Sequence, residues 1–148
     1  MPSQEEAVGL DRFAHADVQA ALIIHKNDVK VGDDMAIEIE LVNAGRASAQ
    51  LTKVENIIPA GFDVLSKPAT YRIEDSYIMM KGKRLDPLKT EEIALVLRPK
   101  VQGRFTIRPR ILYIDDEGSY KVREVDGCDV TVKELGVAGW LRGPDKDR

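Results

Sequence analysis

Val31–Phe62 reads VGDDMAIEIELVNAGRASAQLTKVENIIPAGF, and the alternation inside it decides the fold class. Met35, Ile37, Ile39 and Leu41 alternate with Ala36, Glu38, Glu40 and Val42. A period of two puts the first four side chains on one face of a β-strand, so this segment predicts a half-buried strand. Asn43 to Gly45 can then turn the chain, because Asn tolerates a left-handed backbone and Gly adopts one without steric cost. A second strand is expected from about Ala49 to Ile57, ended by Pro59 and Gly61.

The same period recurs on both sides. DVQAALIIHK, from Asp17 to Lys26, predicts a strand ahead of a turn at Val29 to Asp33. After Phe62, short extended segments at Phe62 to Leu65, Thr70 to Ile73 and Tyr77 to Met80 are separated by turn signals: Lys67-Pro68, Glu74-Asp75-Ser76 and Gly82. In EEIALVLRP, Ile93, Leu95 and Leu97 share one face. GRFTIRPRILYIDDEG, from Gly103 to Gly118, puts Phe105, Ile107, Pro109, Ile111 and Tyr113 on one face and Arg104, Thr106, Arg108 and Arg110 on the other. Pro109 cannot donate to a ladder, so this strand is expected to be an edge or to bulge there. Asp115-Asp116-Glu117-Gly118 reads as a hairpin turn, returning through Tyr120 to Val125, with a last strand at Asp129 to Lys133. Seven to nine short strands with frequent turns and no long helix after residue 20 predict an all-β, antiparallel β-sandwich. Residues 17–133 form that sandwich, residues 1–16 a short helix or an ordered arm, and residues 134–148 a glycine-rich tail with the only Trp.

Composition narrows the function classes. A chain of 148 residues is one domain, able to bury roughly 68 to 70% of its unfolded surface without a metal or disulfide staple. Against 22 Lys plus Arg stand 25 Asp plus Glu, a net charge of -3, so no bulk field draws nucleic acid. The single Cys128 excludes an intrachain disulfide. MPSQEEAVGL carries two acidic residues where a signal peptide is basic, and the longest apolar run, Ala20 to Ile24, is too short for a membrane span. A cytoplasmic location is the default expectation, with an extracellular one if the domain is excised from an exported protein. Few Asn, Gln and Cys beside many charged residues lean toward adaptation to heat.

VGDDMAIEIELVNAG, then LTKVENIIPAGF, then a late strand that follows a Gly and closes on DDEG, resembles the immunoglobulin-like modules of many bacterial and archaeal multidomain proteins. These include conserved-repeat and adhesion-related β-sandwiches in which a strand ending N-x-G precedes a P-A-G-F-like corner. The likeness covers Asp28 to Val132. It implies an immunoglobulin-like β-sandwich serving as spacer, scaffold or docking module, with no shared catalytic residues to carry over. The Trp-containing tail departs from the pattern.

No constellation for catalysis is present. His15 and His25 are the only histidines, without ligand spacing, a Gly-x-Ser-x-Gly elbow or a phosphate-binding Gly-Lys-Ser/Thr loop, so neither an enzyme nor a cofactor is expected. Asp115, Asp116 and Glu117 could gather oxygens round calcium if the Asp33-Asp34 turn met them, and Tyr113 or Tyr120 could add a carbohydrate platform; a solvated hairpin turn explains the same residues. Lys81, Lys83 and Arg84 around Gly82 read as a solvated basic turn. Arg104, Arg108 and Arg110 either guard an exposed strand edge against aggregation or form a docking stripe for an acidic partner segment that adds a strand. Too few aromatics interleave with them for nucleic acid. Trp140, with Val137 and Leu141, either folds back over the sandwich or anchors a partner, a homo-oligomer included. The expected role is a non-catalytic interaction or architectural module binding a protein partner or a neighbouring domain through Arg104, Arg108, Arg110 and Trp140.

Overall fold

The computed structural model describes residues 14–134. β3 (Met35–Asn43) carries the alternation as expected: Met35, Ile37, Ile39 and Leu41 are buried, while Ala36 and Glu40 are exposed. β8 (Thr90–Pro99) runs antiparallel beside it, Ile37 opposite Leu95 and Ile39 opposite Ile93. β1 (Val18–Ile24) flanks β3, and β5 (Phe62–Ser66) flanks β8, completing a four-stranded sheet β1-β3-β8-β5. The second layer is β4 (Ala49–Glu55), β6 (Arg72–Glu74), β7 (Tyr77–Leu85), β10 (Arg110–Ile114) and β11 (Tyr120–Glu124), in the order β11-β10-β4-β7-β6. A three-stranded sheet, β2-β12-β9, joins β2 (Asp28–Lys30), β9 (Gly103–Ile107) and β12 (Cys128–Lys133). This is an immunoglobulin-like β-sandwich.

Twelve segments exceed the seven to nine strands expected, and the difference has a local cause. β9 and β10 are one pass of chain broken at Arg108-Pro109; β11 and β12 are its return pass, broken at residues 125–127. Pro109 has no N–H to give, and its carbonyl accepts from Val125 N–H at 3.0 Å, so the long hairpin kinks without separating. Gly127 sits in the kink because a Cβ there would come within 3.2 Å of the Ile107 carbonyl oxygen. The inward face survives the break, with Ile107, Pro109, Ile111 and Tyr113 all buried. β1 and β2 are likewise one pass that changes sheets, pairing antiparallel with β3 and then parallel with β12. Joining these three kinked pairs leaves nine passes, twelve less three. Gly82 marks no turn: with Lys81 it adopts positive φ, 72° and 53°, and bends β7 without ending it. Asn56, φ 58°, ends β4 before Pro59 is reached.

The core lies between the layers, where Ile37, Ile39, Leu41, Ile93, Leu95 and Leu97 meet Leu51, Val54, Ile78, Ile107 and Ile111. Each such side chain, fully buried, contributes ~1.5–3 kcal/mol. Phe62 and Phe105 meet edge to face at 5.0 Å and join β5 to β9. Tyr71 donates its hydroxyl hydrogen to Glu91, fastening the lead-in of β6 to β8.

One buried side chain organises the opposite end. Asn43 has 0% exposure, and its amide nitrogen donates to the carbonyls of Ala47 (2.7 Å) and Leu85 (2.9 Å). Its Oδ1 accepts from Asp17 N–H (3.1 Å) and Gly45 N–H (3.0 Å). Gly45 is required here for close approach: a Cβ on it would lie 1.9 Å from the His15 carbonyl oxygen. Asn43→Ala strands four backbone partners, two of them in buried bonds, and Gly45→Ala drives a methyl into backbone. Each should cost about 3 kcal/mol or more, read as a lower denaturation midpoint at unchanged slope, against about 0.5 kcal/mol for the exposed control Arg46→Ala.

Candidate functional site

The densest polar cluster forms where the chain leads into β1. The 115–118 turn is shaped by Asp115, buried to 7% exposure, whose Oδ1 accepts from Glu117 N–H and Ser119 N–H, both 2.9 Å. Gly118 supplies the positive φ, 81°, that closes it. The turn delivers Asp116 to the lead-in: Oδ1 accepts from Ala16 N–H at 2.9 Å, and Oδ2 lies 2.9 Å from His15 Nδ1. His15 Nε2 is 3.5 Å from Glu117 Oε1. From β11, Arg123 donates to the Val18 carbonyl (3.0 Å) and to Asp17 Oδ1 (2.8 Å). These bonds lash the two sheets together where β1 and β11 run side by side unpaired.

This cluster lines a shallow concavity of about 430 Å³ with Tyr113 and Lys121. Among the described residues no Ser, Thr or Cys lines it. Tyr113 is 4% exposed and its oxygen accepts from Val18 N–H at 3.4 Å; burial pushes its phenol above the ordinary value. It is therefore no ligand platform, whereas Tyr120 is 79% exposed. The two acidic turns do not meet. Asp33 and Asp34 precede β3, while Asp116 lies beside the lead-in that Asn43 holds at the far end of that nine-residue strand, about 30 Å away. Asp33 caps Lys30 N–H at 2.9 Å and Asp34 pairs with Arg98 at 2.9 Å. Among the described residues no three His, Cys, Asp or Glu side chains converge on a metal-sized site.

The arginines separate. By alternation all three point outward, yet β10 lies between β4 and β11, so Arg110 is not on an edge and pairs with Glu55 at 3.7 Å. The edge expected of the whole strand is confined to β9, because β4 ends at Glu55 and nothing continues its ladder. Arg104 and Arg108 are exposed along that edge. There Thr106 and Arg108 face Ile58, Pro59 and Ala60 across a notch of about 310 Å³. Trp140, Val137 and Leu141 lie outside the described residues. Lys81, Lys83 and Arg84 are exposed on the bent β7, Arg84 bound to Asp86 at 2.5 Å. His25 lies 3.6 Å from Glu38. No helix among the described residues is long and apolar enough to cross a membrane. Arg123 and the open side of β1 escaped the sequence reading; the one available signal was that VQAALII holds no charge at all.

The hydrogen bonds from His15 and Ala16 hold the Asp116 carboxyl below its ordinary value of 3.8. The folded chain therefore binds fewer protons there than the unfolded one. The resulting stability is complete above pH 3.8 and disappears as pH falls through the lower folded value. Asp116→Asn should lower the melting midpoint most near neutrality, where the carboxylate's contribution is complete, and converge on the wild type as pH falls below the folded value, so that the decline below pH 4 is flatter in a pH series of thermal melts.

Solved structures of low identity share the fold. A variant of BcpA, the major pilin subunit of Bacillus cereus, superposes with a TM-score of 0.61 at 10% identity over 80% of this chain and 41% of its own. This chain thus spans about two fifths of the pilin subunit. The CARDB domain of a Pyrococcus furiosus protein, solved with di-metal ions, gives 0.53 at 16% identity over 83% and 98%. The putative ApaA protein from Bordetella pertussis gives 0.50 at 11% identity over 79% and 94%. No curated protein matches the sequence. A family model does match, across residues 23–132, a range that runs from inside β1 almost to the end of β12 and takes in every core strand between. On that match the chain belongs to the family described as the BatD DUF11 like domain.

Proposed function

We propose that this domain is a non-catalytic architectural module that seats an acidic segment of a protein partner or of a neighbouring domain against the open edge of β9. The observation that carries this reading is the pairing of β9 with β12 alone, beside two exposed cations. Among the described residues neither Arg104 nor Arg108 has an ion-pair partner, whereas Arg110 has Glu55. An extended segment entering the notch gains main-chain bonds from β9, and acidic side chains on it meet the two guanidinium groups. The floor of the notch is the Ile58-Pro59-Ala60 corner, rigid through proline and through Phe62, whose N–H donates to the Pro59 carbonyl at 3.2 Å. Fold-level likeness to a pilin subunit and a CARDB domain accords with a scaffold role.

The test is a photo-crosslinking amino acid at Thr106 of the full chain in its native cells. A discrete protein adduct should form, and Arg104→Glu with Arg108→Glu should lower its yield about tenfold, the equivalent of ~1.4 kcal/mol. The melting midpoint should hold within about 2 °C, because exposed charges contribute little to stability. Equal adduct from both proteins, or adduct at Thr106 no greater than at Glu92 on the opposite layer, overturns the reading.

A further inference from the structure

β1 is an edge strand without the usual protection. Its seven residues, VQAALII, include no charge and no proline, and its register with β3 runs without a bulge. Other edges are guarded. β6 has three residues, with Arg72 bound to Glu74; β5 is broken by a register shift and flanked by the Asp63–Lys100 pair at 3.2 Å; β11 carries Lys121, Arg123 and Glu124.

The direction of β1's main chain can be read from its first residues. Asp17 turns toward β3, its N–H to Asn43 Oδ1 and its carbonyl to Ala44 N–H. Val18 turns away, its N–H to the Tyr113 oxygen and its carbonyl to Arg123. Alternation then aims the N–H and C=O of Ala20, Leu22 and Ile24 at the open side, and among the described residues none of them has a partner there. These are three donors and three acceptors in a row on an apolar strand.

We propose that β1 pairs antiparallel with β1 of a second copy of this chain about a two-fold axis through Leu22, so that the two four-stranded sheets become one continuous sheet. In this register Ala20 lies opposite Ile24 of the second copy and Leu22 opposite Leu22. All three open residues are satisfied, and Val18, whose groups are already bound, stays outside. A register centred on Ala21 would instead set Ile24 against Val18 and leave its groups unpaired. Side-chain size agrees: small Ala20 meets Ile24, and on the outer face small Ala21 meets Ile23, in the closely spaced type of pair. Charge does not oppose the pairing, because the seven residues of β1 carry none, and Asp17, already bound to Arg123 at 2.8 Å, takes no part in it. An uncharged strand offers nothing to the acidic partner suited to β9, and a two-fold contact closes on itself without polymerising.

Light scattering on size-exclusion fractions of the full chain tests this, from about 10 μM to about 1 mM. The mass should double with rising concentration. Ala21→Lys with Ile23→Lys, and separately Ala21→Glu with Ile23→Glu, should each stay monomeric, and an equal mixture of the two should recover the dimer. A wild type that is monomeric throughout, or a dimer that survives in both charged variants, overturns the proposal. Arg104→Glu with Arg108→Glu should leave the dimer intact, so failure at β1 is distinct from failure at β9. Should the charged variants unfold, Leu22→Cys with Cys128→Ser decides: the Cα atoms facing across the axis would be about 5.5 Å apart, within disulfide reach. Oxidation should link two chains at position 22 and not in the same background with Gln19→Cys; no link at 22 overturns the register.

Discussion

The carboxamide of Asn43 is the constraint on which the rest of the sandwich depends. It is sealed from water at the end of the central strand, where an unmade hydrogen bond costs about 1–3 kcal/mol per group. All four of its bonds go to backbone: the lead-in of β1, the Gly45 and Ala47 turn and the end of β7. These three segments come from both layers, so satisfying one side chain sets the spacing of the sheets at that end. Asn43-Ala44-Gly45 acts as a clamp on the incoming chain. Ala44 N–H binds the Asp17 carbonyl at 2.8 Å, and the bare Cα of Gly45 lets the His15–Asp17 backbone pass against it.

The edges of the molecule follow from two changes of course. β1 begins against β3, and its continuation β2 crosses to pair in parallel with β12, covering the outer side of β12. That crossing leaves β1 and β11 adjacent but unpaired, bridged among the described residues by the Arg123 guanidinium and the Asp116 turn, with the Tyr113 hydroxyl beside them on Val18 N–H. On the other flank β4 stops at Asn56, so β10 has a neighbour on each side while β9 has one. A single kinked hairpin therefore presents an interior half and an exposed half.

Charge is distributed as a mosaic of short exposed pairs, such as Arg98–Asp34 and Lys133–Asp28, each contributing ~0.2–1 kcal/mol and weakened by salt. The outer face of β3 and β8 is different, because Glu40 lies directly opposite Glu92 beside exposed Ala21 and Ala94. Like charges opposed across strands are unfavourable, which discourages a second sheet from stacking there and leaves lateral contacts to the strand edges. Membership of the BatD DUF11 like domain family rests on the same strands that make the core.

What the sequence by itself determined was the alternation. Met35 to Leu41, Ile93 to Leu97 and Phe105 to Tyr113 could face inward in only one way, because a one-residue slip would turn every apolar side chain to solvent. The DDEG turn was equally legible, since Asp and Gly are local requirements of a tight hairpin. Which strands became edges was decided by tertiary structure alone, because a strand's period records its two faces and nothing of its two flanks. Arg108 and Arg110 look equivalent in the sequence, yet one lies on an open margin and the other is bound to Glu55 because β4 reaches just far enough. The seven uncharged residues of β1 read as an ordinary strand until β2's crossing left one side of them unpartnered among the described residues.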